Sequence, residues 1–268
     1  MKKVLLSVIA LCGFAIANAQ EEDEILVNPI LSSKGEHYLP QMDDWAISFN
    51  ADGIFEYVGN AFSGSTSRNN APKVSYVRTN TFVGKMFVSD KKAYRVVANL
   101  GFGSQNNTSP LVTGPGAGTT IETKNNDFAL ALGVGKEWRK GNTRLQGFYG
   151  ADVLVTTAFN TEEVTTTDTD TGDFVSSFEE KSGLDLGAGI QGFIGAEYFI
   201  FPKFAIGAQY TYRVGFALNG ASETTTKNGT DDAVTVDGDK GFSFAFGDLD
   251  NTTNVGVGIF SLNLTLHF

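Results

Sequence analysis

Residues 183–218 read GLDLGAGIQGFIGAEYFIFPKFAIGAQYTYRVGFAL, two alternating stretches joined at the short connector FPK, residues 201–203. Leu184, Leu186, Ile190, Ile194 and Tyr198 share one face of the first; Phe204, Ile206, Tyr210, Tyr212, Val214 and Phe216 share one face of the second. Opposite them stand Asp185, Gln191 and Glu197, then Gln209, Thr211 and Arg213, spaced by Gly and Ala. A period of two marks strands whose two faces meet different surroundings. The final stretch, SLNLTLHF at 261–268, repeats the pattern, with Leu262, Leu264, Leu266 and Phe268 against Ser261, Asn263, Thr265 and His267. That ending also fits a strand of a soluble sandwich, so the remaining chain has to decide.

Working outward, five more segments alternate: DDWAISFNAD at 43–52, KVSYVRTNTFVGKMFV at 73–88 with an ambiguous phase, YRVVANLGFG at 94–103, DFALALGVGKEWR at 127–139 and TRLQGFYGADVLVT at 143–156. The connections sort by length. SDKKA, KGN and FPK are short turns, while long stretches rich in Asn, Thr, Ser, Gly and Asp fall between strands one and two, three and four, five and six, and seven and eight. An even strand count with short turns at one end and long loops at the other predicts an all-β fold: an eight-stranded antiparallel up-and-down transmembrane β-barrel with short periplasmic turns and long extracellular loops.

The front end fits that compartment. MKK, the apolar run VLLSVIALCGFAIA and Ala17-Asn18-Ala19 read as a secretory signal over residues 1–19. Cys12 lies inside the apolar run, with Gly13, Phe14 and Ala15 after it, and reads as filler rather than a lipidation site. Removing the leader takes Lys2 and Lys3 from the 20 Lys and Arg and leaves 18 against 30 Asp and Glu, a net charge of −12 that argues against nucleic acid or anionic lipid headgroups as partners. It also takes the one cysteine, so no disulfide framework is expected. Gly at 31, Pro at 6 and Phe at 22 suit glycine-kinked, aromatic-rich strands. Residues 20–42, acidic at the start and carrying Pro29 and Pro40, read as a periplasmic segment tied down near Tyr38 and Leu39; residues 43–268 form the barrel.

Hydrocarbon leaves an unpaired peptide group without a partner, so strands cross a membrane only when the sheet closes. Alternation then sends one face to lipid and the other to a narrow lumen filled by side chains. The inward set includes Arg95, Glu137, Arg144, Asp152, Asp185, Glu197 and Arg213, expected to pair across the lumen because isolated buried charges are costly. An ion or proton path is the functional alternative to a rigid polar core. Trp138, Tyr198, Phe199, Phe201, Phe204 and Phe268 cluster near the short-turn end, where rings rest at headgroup level.

The leader, the eight alternating segments, the sorted loops and the ending SLNLTLHF together resemble the bacterial outer-membrane barrels of the OmpA-barrel, OmpX and OmpW type, over residues 43 to 268. The resemblance implies outer-membrane localisation, outer-membrane lipid as surroundings, and recognition of Leu262, Leu264, Leu266 and Phe268 by the barrel-assembly machinery.

Other features carry weaker signals. ADGIFEYVGNAF at 51–62 breaks the two-residue period, and Ile54, Phe55, Val58 and Phe62 fall at helical spacing, so a short helix or plug competes with a bulged strand. In the third long loop Asp168, Asp170, Asp173 and Glu179 approach the spacing of a calcium loop, but Gly172-Asp173 reverses the expected order and a solvated hairpin is the better reading. In the fourth loop AVTV and FSFAF are expected to pair across Asp237 to Lys240. His37 and His267, the two histidines, lack the setting of a catalytic base, so no enzyme and no cofactor are expected. The expected role is structural or surface-binding, through the loops toward a surface ligand or an envelope protein. The alternatives are a narrow porin-like channel for small solutes and an accessory subunit of a larger envelope complex, using the loops or the tail with its ILVNPIL stretch.

Overall fold

The structure, a computed structural model, describes residues 29–51, 82–111, 118–247 and 258–268. Twelve strands join in one sheet: β1 (Trp45–Asn50), β2 (Phe82–Ser89), β3 (Lys92–Leu111), β4 (Thr119–Lys140), β5 (Leu145–Asp168), β6 (Phe174–Lys181), β7 (Asp185–Phe201), β8 (Phe204–Asn219), β9 (Glu223–Asn228), β10 (Val234–Asp237), β11 (Gly241–Gly247) and β12 (Ile259–His267). Eight of them, β1, β2, β3, β4, β5, β7, β8 and β12, pair antiparallel in that order, and β12 pairs back with β1 to close a ring.

The ring is staggered. From His267, successive cross-strand partners are Ala46, Lys85, Arg95, Gly135, Asp152, Gln191 and Arg213. His267 N–H donates to the Lys203 carbonyl just before β8 at 2.8 Å, so the path that starts beside Lys203 returns at Arg213, ten residues further along the same stretch of chain. Eight strands about 4.8 Å apart with a rise of about 3.4 Å per residue then tilt by about 40° and enclose a bore about 16 Å across between backbones, which side chains fill.

Alternation sorts the two faces. Trp45, Ile47, Phe82, Tyr94, Val96, Leu100, Leu132, Val134, Val153, Val155, Ile194 and Tyr210 point outward and are exposed, while Ala46, Ser48, Val83, Lys85, Val97, Phe148, Leu154, Gln191 and Thr211 point inward and are buried. The phase left open in the second segment resolves with Val83, Lys85 and Phe87 inward, and the register shifts between Phe87 and Ser89. On the outer wall Trp138 stacks on Tyr149 at 5.8 Å, and Phe128 stacks on Phe159 at 5.1 Å. The ten residues between Phe128 and Trp138, at the tilt above, span about 26 Å, close to the apolar band of an outer-membrane wall.

Four strands lie outside the eight expected. The loops between long strands are themselves strands: β3 and β4 stay paired out to Leu111 and Thr119, far past the outer aromatic level. Beyond Ala158, β5 leaves β7 and pairs with β6, and β9 and β10 extend that sheet. AVTV and FSFAF do not pair with each other. β10 lies on β9, whereas β11 takes the place of β12 along β8, setting Phe242, Phe244 and Phe246 against Leu218, Phe216 and Val214 and continuing an apolar wall that a partner hairpin in solvent could not. The leader, the start of the periplasmic segment to residue 28, residues 52–62 of the helix-or-bulge stretch and residues 73–81 of the second segment lie outside the described residues. At the short-turn end, Tyr38 N–H donates to the Ile30 carbonyl at 3.0 Å, and the Tyr38 ring lies 4.4 Å from the Arg144 guanidinium.

Candidate functional site

The spiral of cross-strand partners passes through the most charged part of the interior. Lys85, Arg95, Asp152, Gln191 and Arg213 lie along it, all buried. Glu137, Arg139 and Glu197 project beside it from the strand ends nearer the short turns. The Lys85 ammonium sits 2.8 Å from Glu197 Oε1 and 3.1 Å from Glu137 Oε2. Arg95 Nη1 donates to Glu137 Oε2 at 2.8 Å, and its Nε lies 3.4 Å from Asp152 Oδ1. Arg139 reaches both glutamates, donating to Glu197 and placing Nε 3.7 Å from Glu137 Oε1. Asp152 accepts from Gln191 Nε2 at 2.6 Å, and Gln191 Oε1 accepts from Arg213 Nε at 3.0 Å. Thr265 Oγ1 links Ser48 and Glu197 at 3.0 and 3.1 Å.

Three carboxylates thus meet three cations with a fourth relayed through an amide, the condition under which buried charges are retained rather than neutralised. Strand geometry dictates the meeting. Residues paired across strands place side chains on the same face within a few ångströms, so charges at inward positions of β2, β3, β4, β5 and β7 converge.

Aromatic rings close the remaining space. Arg95 lies 3.7 Å from the centroid of Phe193, and Lys85 lies 5.0 Å from that of Phe148. Phe87 and Phe199 flank His267 at 5.6 and 5.1 Å, and Arg139 stands over both rings. Room for these rings comes from glycine: a Cβ at Gly195 would collide with Phe148 Cε2 at 2.9 Å and with the Ala208 carbonyl, and one at Gly150 would run into Phe193. Between Ser48, Lys85, Arg95, Phe148 and Glu197 a cavity of about 10 Å³ is left, enough for about one water.

No family model and no curated protein matches the chain. Among solved structures it is similar to a major outer membrane protein from Thermus thermophilus, at 12% identity and a TM-score of 0.30, over 84% of this chain and 99% of that one. A likeness that distant carries no argument.

Of the inward charges read from sequence, Arg95, Glu137, Asp152, Glu197 and Arg213 lie in this buried network. Arg144 does not. It precedes β5 at the short-turn rim, where its Nε donates to the Phe199 carbonyl at 2.7 Å, a second nitrogen donates to the Ile200 carbonyl, and the ring of Tyr198 lies 5.2 Å away. A turn residue has no pleat to aim it inward, so it caps carbonyls at the strand end instead. Asp185, the first residue of β7, is half-exposed and twelve residues from Glu197, out of reach of the cluster. Phe199, grouped by sequence with the headgroup aromatics, is buried inside against His267, because its position alternates with outward Tyr198.

The weak calcium-loop candidates Asp168, Asp170, Asp173 and Glu179 lie on a β5–β6 hairpin, the preferred reading of that loop. Asp168 Oδ1 accepts the backbone N–H groups of Asp170 and Thr171, both at 2.9 Å, and the Thr171 hydroxyl at 3.2 Å. Those amides hold its carboxyl below the usual range. Glu179 instead pairs with Lys181 at 3.0 Å on the outer face of β6. Among the described residues no group of three or more His, Cys, Asp or Glu is arranged to hold a metal ion. Of the terminal strand, Leu264 and Leu266 pair with Ile206 and Phe204, Leu262 pairs with Ala208, and Phe268 is 60% exposed.

Sequence reasoning missed Lys85, Arg139, Phe148 and Phe193. Arg139 was legible, two residues after inward Glu137. Lys85 was hidden by the ambiguous phase of its segment. The two rings were passed over because inward positions were expected to be polar.

Proposed function

We propose that the protein is an outer-membrane β-barrel with a closed lumen, whose role is structural or surface-binding and not enzymatic. The observation that carries this reading is the pairing of an apolar outer wall, about 26 Å between aromatic levels, with an interior filled by matched charges and rings. An apolar face of that height has no protein to cover it among the described residues, and lipid is the solvent it suits. The end with short turns then faces the periplasm, and the long paired strands β3 to β6 with β9 and β10 stand outside the cell. Their Thr-rich, charged surface is the part available to a surface ligand or an envelope protein.

The outer wall of β12 and the ring of Phe268 fit recognition by the assembly machinery. The porin-like alternative is disfavoured by the matched charges and rings that meet across the bore among the described residues, with room for about one water between Ser48, Lys85, Arg95, Phe148 and Glu197. Single-channel recording in planar bilayers tests this. A closed barrel gives no conductance steps above the bare membrane, and reproducible steps would establish the channel reading instead.

A further inference from the structure

From the short turns up to the level of Phe128, the outward face of the ring strands carries three charged residues among those described: Lys92, Lys136 and Lys140. All three lie on the β3–β4 hairpin at the short-turn end. Lys92 is the direct cross-strand partner of Trp138, and Lys136 and Lys140 stand two residues to either side of it on the same face. The Lys136 ammonium lies 5.4 Å from the Trp138 ring centroid, and that indole stacks on Tyr149. Tyr94, partner of Lys136, is 51% exposed beside it. Trp138 Nε1–H has no acceptor among the described residues, and the Lys92 side chain makes no hydrogen bond, ion pair or ring contact with any of them.

Among the described residues no acid answers Lys92 or Lys136. Asp90, at the turn, accepts from Met42 N–H at 3.0 Å, and Asp44 pairs with Lys203 at 3.4 Å. Lys136 with its ammonium over the indole and Lys92 at the position paired with Trp138 therefore share one patch of a wall that is otherwise apolar around them, where like charges repel unless an anion lies between them. Snorkelling brings long lysine stems to headgroup height without such a partner, but it gives no reason for concentrating both cations in one patch.

We propose that Lys92 and Lys136 hold the phosphate of an anionic glycerophospholipid of the inner leaflet, with Trp138, Tyr94 and Tyr149 against its glycerol and upper acyl chains. This rests on the membrane reading above and adds to it a specific lipid site on one hairpin. A general aromatic girdle would treat all headgroups alike. This patch selects negative charge although the chain as a whole is acidic.

The test uses Trp45→Phe, which leaves Trp138 as the one tryptophan. The full chain is reconstituted in phosphatidylcholine vesicles carrying a small fraction of brominated lipid, either phosphatidylglycerol or phosphatidylcholine. Brominated phosphatidylglycerol is expected to quench Trp138 roughly fivefold more than its mole fraction predicts, as for about one lysine's worth of attraction at a charged surface. Lys92→Gln with Lys136→Gln should abolish the preference while both lipids still quench, and Lys136→Arg should keep it. Equal quenching by the two lipids in the parent chain overturns the lipid site and leaves the membrane reading intact. No quenching by either overturns both. Loss of the preference on adding inorganic phosphate at constant ionic strength would show a free-anion site and overturn the lipid assignment; no effect supports it.

Discussion

Lys85 and Glu197, 112 positions apart in sequence, meet at 2.8 Å in the middle of the ring, both wholly buried. Neither strand touches the other: β2 and β7 stand on different sides of the ring, and the contact runs across the bore. It is therefore a strut. Each such pair ties opposite walls and fills space that would otherwise be a channel.

Removing one end of the strut leaves two glutamates short of a cation. Lys85→Met is expected to cost about 3–5 kcal/mol of unfolding free energy. The double variant Lys85→Met with Glu197→Gln should cost clearly less than the two single changes added together, as for coupled neighbours. Urea titration of the protein folded in lipid vesicles measures both. Additive losses would mean that the two side chains do not interact.

Interior glycine makes space for rings. At Gly195 a methyl would press on Phe148 and the Ala208 carbonyl, while at Gly192 a Cβ meets nothing within 4 Å. Gly195→Ala is predicted to destabilise by about 1–3 kcal/mol through overpacking, and Gly192→Ala by less than about 0.5 kcal/mol. The same urea titration separates them, and equal effects would remove the packing argument.

Asp168 ends β5 half-exposed, and the backbone amides of Thr171 and Asp170 hold its carboxyl below the usual carboxylate range. A carboxyl whose folded pKa lies below its unfolded value lends stability above the unfolded value and loses it as pH falls through the folded one. The protection of the Asp170 and Thr171 amides, taken as exchange relative to the intrinsic rate at each pH, should be present while Asp168 is ionised and be lost as acid protonates it, and in Asp168→Ala it should be low at every pH. Added calcium should alter neither. Protection that tracks calcium would restore the metal reading.

Phe268 is held by its backbone, through reciprocal bonds with Trp45 at 2.8 Å, while its ring is mostly exposed. Phe268→Ala keeps the backbone pairing. It is therefore expected to lower the yield in the membrane fraction severalfold, and to shift the urea midpoint of protein already inserted by little, in line with a surface change of about 0.5 kcal/mol. Equal membrane yields would argue against an assembly role.

Strand faces were legible because a period of two survives in almost every ring segment. Ile190, Gln191 and Ile194 point where alternation puts them, and so do Thr211, Arg213 and Val214. What alternation cannot give is which inward charge reaches which. That depends on the ten-residue stagger, a property of the closed ring fixed by all eight registers together. Arg144 was misread because it lies one residue outside its strand. The third loop was read as a hairpin and is one, β5 with β6, but the partners of AVTV and FSFAF were misread because polar Thr-rich sequence looks the same as strand or loop when neither face is apolar. β6 and β9 are held mainly by backbone pairing, which side-chain pattern does not advertise.

The central claim is that one face of each ring strand meets lipid and the other meets a filled interior. Spin labels on single cysteines along β8 test it directly in a chain whose one native cysteine lies at position 12, ahead of the ring strands. In vesicles, labels at Ile206, Tyr210 and Val214 should collide readily with dissolved oxygen and hardly with a polar nickel complex, while labels at Gln209 and Thr211 should be immobile and shielded from both. High nickel accessibility at the first three positions would contradict the account, for it would mean that water, and not lipid, bathes the apolar wall.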